Sequence, residues 1–242
     1  MALRLTVLGC DGTYAGPNGA CSGYLVRSDT TSVWIDTGPG TLAALQQHVP
    51  LVDLHAIVVT HEHPDHCMEL PVVRNALKYG FEVEGMRVIT TRDVRTLIDG
   101  ITSGAAPTFA WEVVADGDAT TVGDLGFAFA RTDHPVETLA VRVEHAGRVL
   151  VYSADTGRHF SFLPFGAPVH LALCEATVAV GDAGGVHLTG AEAGALAREA
   201  GAEHLLLTHL VPGTDPARRR SEAEATYERP VSMAAPGDTY EV

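Results

Sequence analysis

The chain has 242 residues, 46% of them apolar, and carries 30 acidic against 16 basic side chains for a formal charge of −14. That length supports one domain with a substantial core, and that charge opposes adhesion to polyanions such as tRNA or duplex DNA. The opening MALRLTVLG lacks a long apolar segment and a small-residue cleavage site, and no run reaches membrane-spanning length. A cytoplasmic protein without membrane contact is therefore expected. Cys10, Cys21, Cys67 and Cys174 form no CxxC pair, which fits core thiols in a reducing compartment.

Strand patterns come first. RLTVLG, SGYLVR, SVWID and AIVVT are separated by Gly, Asn, Asp and Pro turn signals, as in a meander. Helical periodicity enters at about 41–48, 65–79, 92–101, 190–200 and 216–228, among the strand patterns MRVITT, GFAFART, TLAVRVE, RVLVYSA, HLALCEA and HLLLTH. The alternation predicts sheets with helices outside, in one unit over residues 1–242 with no repeat of fixed period. GDAGG at 181–185 reads as a loop, because periodic segments resume on both sides.

The stretch THEHPDH, residues 60–66, follows the apolar run AIVV. His61 and His63 are two apart in extended chain, so their rings lean to one side. Pro64 suits the first turn of a helix, and Asp65 and His66 on that turn aim at a neighbouring point. One segment thus offers two imidazoles to one cation, and a carboxylate with an imidazole to a second. These donors suit zinc, and also manganese or iron. His134 follows GFAFARTD, Asp155 follows RVLVYSA and His209 follows HLLLT, so each stands where a strand runs out. Ligands drawn from several strand ends converge on one rim.

HEHPDH, TDHP around His134, SADTG around Asp155 and LTHL around His209 resemble, in order, the metal motifs of the metallo-β-lactamase superfamily. HPVET, ADT and HLTGAEAGALAREAGAEHLLLTH are similar to its ribonuclease Z and phosphodiesterase branch. The resemblance spans nearly the whole chain and implies an α/β fold, a four-layer αββα sandwich with a dinuclear site at the edge between the sheets. It implies that His61, His63 and His134 bind one metal, that Asp65, His66 and His209 bind the other, and that Asp155 bridges them. Two divalent ions follow, Zn2+ first, with Mn2+ or Fe2+ suited to the same donors. A hydroxide between them is the implied nucleophile, with Asp65 orienting it. His187, just before a capping-box signal at Thr189 and Glu192, matches a histidine that contacts phosphate or protonates the leaving alkoxide. Relatives of this branch often dimerise, so a homodimer is compatible with the resemblance.

Other residues read as structural. Asp36 resembles a family position that buttresses the metal-binding turn, Glu175 reads as a buttress or as a solvated strand end, and LGCDGT as a tight turn near the rim. His48, His55, His145, His159, His170 and His204 have no ligand spacing and read as surface or satisfied core residues. Arg218, Arg219 and Arg220, with Glu222 and Glu224, read as a solvated helical face. Enzymes that mature tRNA usually carry a long arm between the third metal histidine and the bridging aspartate. Here His134 to Asp155 is 155 − 134 = 21 positions, filled by two strands and a turn, which leaves no room for it. The expected substrate is a small phosphodiester such as a cyclic nucleotide, and nucleic acid is disfavoured. The alternatives are a ribonuclease Z-like tRNA 3′ endonuclease, a lactone or thioester hydrolase on the same site, and a metal-stabilised scaffold or nucleotide sensor without turnover.

Overall fold

The structure, a computed structural model, describes residues 2–179 and 185–242. Residues 181–184 of the GDAGG loop reading lie outside that description. In chain order, β1 (Arg4–Gly9), β2 (Gly23–Arg27), β3 (Ser32–Ile35), β4 (Ala56–Val59), β5 (Met86–Thr90) and β6 (Phe109–Val113) build one sheet. A second consists of β7 (Ala119–Val122), β8 (Leu125–Arg131), β9 (Leu139–His145), β10 (Arg148–Tyr152), β11 (Leu171–Glu175), β12 (His204–Thr208) and β13 (Val231–Met233). The last strand, β14 (Thr239–Glu241), returns to the first sheet beside β1.

Both sheets follow one pairing plan. In the order β14-β1-β2-β3-β4-β5-β6, the first three pairings are antiparallel and the last three parallel. The order β7-β8-β9-β10-β11-β12-β13 repeats that plan. The sheets stack through Leu5, Val7, Val26, Val33, Ile35, Val58, Phe127, Phe129, Val141, Leu150 and Leu173. Alternate strand residues point the other way: Leu25, Trp34 and Ile57 meet Leu45 of α1 (Thr41–Leu45), Leu70 and Val73 of α3, and Val94 and Ile98 of α4. Here α2 spans Pro64–Cys67, α3 Leu70–Asn75 and α4 Arg92–Thr102. On the second sheet, Val151, Ala172 and Leu207 meet Ala193, Leu196 and Ala197 of α5 (Gly190–Glu199) and Ala223 and Tyr227 of α6 (Pro216–Tyr227). The result is the αββα sandwich. Each such Val, Leu, Ile or Phe side chain contributes roughly 1.5–3 kcal/mol on burial, and truncating the fully buried Trp34 to Ala removes about 3–5 kcal/mol.

Two expectations need correction, and two strands had no reading at all. The helical pattern at 65–79 breaks into α2, α3 and a π-turn over Ala76–Phe81. Pro71 has no N–H to continue the ladder, and the Glu69 carboxylate between the pieces caps α1 by accepting from the N–H groups of Gly40 and Leu42. Strands β6 and β7 carried no clear signal, because they are half-exposed edge strands with diluted alternation. Arg219 is buried, not solvated, and its Nε has no hydrogen-bond partner, because α6 packs closely on the start of α5. No helix among the described residues is long and apolar enough to cross a membrane.

Candidate metal centre

Strands β3, β4, β8, β10, β11 and β12 run in one direction within their sheets, and the site residues follow their C-terminal ends. Asp36 follows β3, His61 follows β4, His134 follows β8, Asp155 follows β10, Glu175 ends β11 and His209 follows β12. Pro64 opens α2 and His63 stands at its N-cap, so Asp65 and His66 face inward from the first turn. His209 has φ 59, a left-handed conformation that turns its ring back toward the strand ends. A Cβ at Gly12 would meet the His209 carbonyl at 2.7 Å and Nδ1 at 2.8 Å, so only glycine lets the LGCDGT turn close on the rim. The next N–H, that of Thr13, donates to Asp65 Oδ2 at 2.7 Å.

Four of the rings are held through Nδ1, which turns Nε2 toward the centre. His66 Nδ1 lies 2.8 Å from Asp36 Oδ2, His61 Nδ1 3.0 Å from Thr60 Oγ1, His134 Nδ1 3.0 Å from the Val186 carbonyl, and His209 Nδ1 2.7 Å from Thr177 Oγ1. These oxygens can each accept an Nδ1–H, which leaves the Nε2 lone pairs for a cation. His63 is turned the other way, with its Nδ1 3.2 Å from His134 Nε2. Asp36 is fully buried and carries much of this support, accepting from Thr60 N–H at 2.8 Å, Thr60 O–H at 3.0 Å and Tyr152 O–H at 3.0 Å besides His66.

The freed atoms gather in three overlapping groups: His61, His63, His134 and Asp155; Asp65, His66 and His209; and Asp155, His187 and His209. Within each group the donor atoms lie within 4.8 Å of one another. Asp155 joins the sets, with Oδ2 3.5 Å from His61 Nε2 and Oδ1 3.2 Å from His66 Nε2 and 3.4 Å from His209 Nε2. His61 Nε2 and Asp155 Oδ1 are buried without a hydrogen-bond partner. Such atoms are costly unless something satisfies them, and an imidazole and carboxylate set closing on one space fits divalent metal. Burial first, then the neighbouring His66, lowers the His61 pKa to about 4, so the ring is neutral and ready to ligate. Burial opposes charge on His66, but Asp155 and Asp36 outweigh it and raise its pKa. A cation entering there displaces a proton. Burial likewise opposes charge on Asp65, yet the hydrogen bond from His209 and the charge of His66 hold its carboxyl below the usual range.

Of the predicted residues, His63 and His187 are half-buried and the other six are buried, so the centre opens on their side. His187 Nδ1 lies 2.9 Å from Glu175 Oε1 and 4.0 Å from Asp155 Oδ2. The expected capping box is present at Thr189 and Glu192, placing His187 just ahead of α5. Glu175 is fully buried and also accepts from Thr156 N–H at 2.7 Å, Thr177 O–H at 2.6 Å and Leu188 N–H at 3.2 Å. Thr177, which holds His209, was missed; its only signal is its place beside Glu175 in CEAT. The carbonyl of Val186 left no side-chain signal at all. His145 and His170 have structural partners, with Nδ1 of each ring 3.1 Å from the Asp124 carbonyl and 3.0 Å from the Val149 N–H respectively.

Residues 31–210 match the Beta-lactamase superfamily domain. An uncharacterized protein of Mycobacterium tuberculosis is 33% identical over 258 residues, covering 100% of this chain and 93% of that one. The probable metallo-hydrolase YhfI of Bacillus subtilis is 31% identical over 243 residues, covering 99% of this chain and all of YhfI. Its crystal structure superposes with a TM-score of 0.91 at 29% identity, over 99% of both chains. A diphosphatase of the PhnP family shares the fold, with a TM-score of 0.78 at 19% identity over 99% of this chain and 98% of that one. The chain belongs to the metallo-β-lactamase superfamily, a family of metal-dependent hydrolases, and its histidine and aspartate groups are able to hold metal.

Proposed function

We propose that the chain is a dinuclear phosphodiesterase acting on a small cyclic phosphodiester such as a cyclic nucleotide, with zinc as the first choice of metal. The observation that carries this reading is Asp155, whose two oxygens face different histidine groups. When bound, a pair of divalent cations supplies a water acidic enough to ionise near neutral pH and offsets phosphate charge. Asp65, fixed by Thr13 N–H, orients that water. His187, its Nδ1–H directed to Glu175, holds a proton on the open side, where a leaving alkoxide needs one. His63 and His187 flank the entrance.

Two features favour a compact diester over tRNA. Strands β9 and β10 occupy the interval from His134 to Asp155, joined by Ala146 (φ 49) and Gly147 (φ 78), a two-residue hairpin turn rather than an arm. The charge of −14 opposes a long polyanion. The proton on His187 favours phosphate over lactone or thioester, since an acyl transfer draws mainly on oxyanion stabilisation. Unpaired Cys10, Cys21, Cys67 and Cys174 accord with a cytoplasmic location.

The test is protein loaded with Zn2+ or Mn2+ and assayed on cyclic nucleotides, bis-p-nitrophenyl phosphate, a lactone panel and an RNA with a 3′ extension. Diester hydrolysis that falls about 10²-fold in His187→Asn at unchanged metal content is the expected result. Lactone hydrolysis without diester hydrolysis overturns the reading.

A further inference from the structure

Two buried tyrosines cross the sandwich in opposite directions. Tyr152 ends β10 in the second sheet, and its O–H reaches Asp36 Oδ2, beyond β3 of the first sheet, at 3.0 Å. Tyr24 lies in β2 of the first sheet, and its hydroxyl is 2.6 Å from Thr208 Oγ1 at the end of β12 in the second. The rings are 0% and 1% exposed and meet edge to face with centroids 5.0 Å apart. Around them the layer between the sheets is built of Leu, Val, Ile, Ala and Phe.

The far end of each tyrosine is joined to one imidazole of a single set. Asp36 holds His66 Nδ1 at 2.8 Å, and Thr208 precedes His209 in the chain. The Nε2 atoms of those two rings are 3.1 Å apart. His66 comes from the first half of the molecule and His209 from the second, so their separation depends on how the sheets sit on one another. Buried hydroxyls need partners in any fold. These two spend theirs on the opposite sheet, at the residues that aim the two rings.

We infer that Tyr24 and Tyr152 are positioning residues that clamp the sheets across the core and thereby set the His66 to His209 gap for the metal held by Asp65, His66 and His209. The inference rests on the two-ion reading. The Tyr24 hydroxyl bonds on the His209 side, and its ring packs on Tyr152. Tyr152 acts through Asp36, which also supports Thr60 and hence His61. The effect on the Asp65, His66 and His209 set is therefore shared by both tyrosines, and any effect on the other set comes from Tyr152.

Co2+ titration of the metal-free protein, followed by absorption and calorimetry, tests the clamp. The step lost in Asp65→Asn identifies the set. Tyr24→Phe keeps the ring and its packing and is expected to weaken that step about 10-fold while leaving the other within about threefold. Thr208→Val, which removes the same bond from its other end, should do likewise. Tyr152→Phe should weaken the identified step by a similar factor, and the double Phe variant by less than the product, because both act on one gap. Lowered melting temperature with both steps unchanged overturns the clamp, leaving the tyrosines as satisfied core residues. So does equal weakening of both steps in Tyr24→Phe. A single step in the wild-type protein overturns the two-ion reading instead, and the clamp is then judged by whether Tyr24→Phe and Thr208→Val weaken that step.

Discussion

The two sheets share one pairing plan but arm it differently. In the first, four proposed ligands come from one turn, residues 61–66 at the end of β4. In the second, the proposed ligands His134, Asp155 and His209 come one at a time from separate strand ends. The contrast is sharpest at equivalent positions. Strands β3 and β10 each open the parallel part of their sheet, and each is followed by an aspartate. Asp36 meets donors from Thr60, His66 and Tyr152 and is used up in holding the turn. Asp155 keeps Oδ1 without a hydrogen-bond partner, facing His66 and His209. The same place in the topology thus serves as support in one half and as a candidate ligand in the other. The neighbours decide which.

Replacing both carboxylates breaks or sharpens that contrast. Asp155→Ala is expected to lower turnover of bis-p-nitrophenyl phosphate by about 10³-fold, with metal content reduced. Asp36→Asn should instead cost roughly 10–100-fold in metal affinity, recovered in part at high metal concentration. Equal losses that excess metal does not relieve in either variant would erase the distinction between support and ligand.

A smaller effect separates the two histidine environments. His61 sits among the proposed ligands of the first half with its pKa lowered to about 4 by burial and by His66. For His187, burial also opposes charge, but the hydrogen bond and charge of Glu175 outweigh it and raise the pKa to about 8. A raised folded-state value means that the charged pair stabilises the metal-free fold fully below the ordinary value of 6.5 and stops doing so as pH rises through about 8. Proton NMR titration of the metal-free protein should place His187 near 8, and Glu175→Gln should bring it back toward 6.5. An unmoved value would remove Glu175 as the cause. The smallest expected change is Thr189→Ala, which deletes the capping box ahead of α5 and should cost about 1 kcal/mol in urea unfolding.

Much of this was legible in one dimension because it is local. HEHPDH concentrates its donors within one turn, and its Pro64 marks where strand gives way to helix. Asp36 was readable as a support only through its resemblance to a family position, and Glu175 stayed open between a buttress and a solvated strand end. The edge strands β6 and β7 were not legible, since a half-exposed strand loses the alternation that marks a buried one. Nor were Thr177, the Val186 carbonyl, Tyr24 or Tyr152. Nothing in their own neighbourhoods tells which distant ring or carboxylate they will meet.

The amino-acid order by itself determined the donor set, since side-chain chemistry and short spacings are covalent facts, and it determined which apolar stripes must be buried. Tertiary packing alone decided which aspartate is occupied and which is free, which nitrogen of each imidazole faces the centre, and how far His66 stands from His209. Those properties depend largely on hydrogen bonds between groups brought together by folding, from His66 with Asp36 and His209 with Thr177 to Tyr152 with Asp36 and Tyr24 with Thr208 across the two sheets.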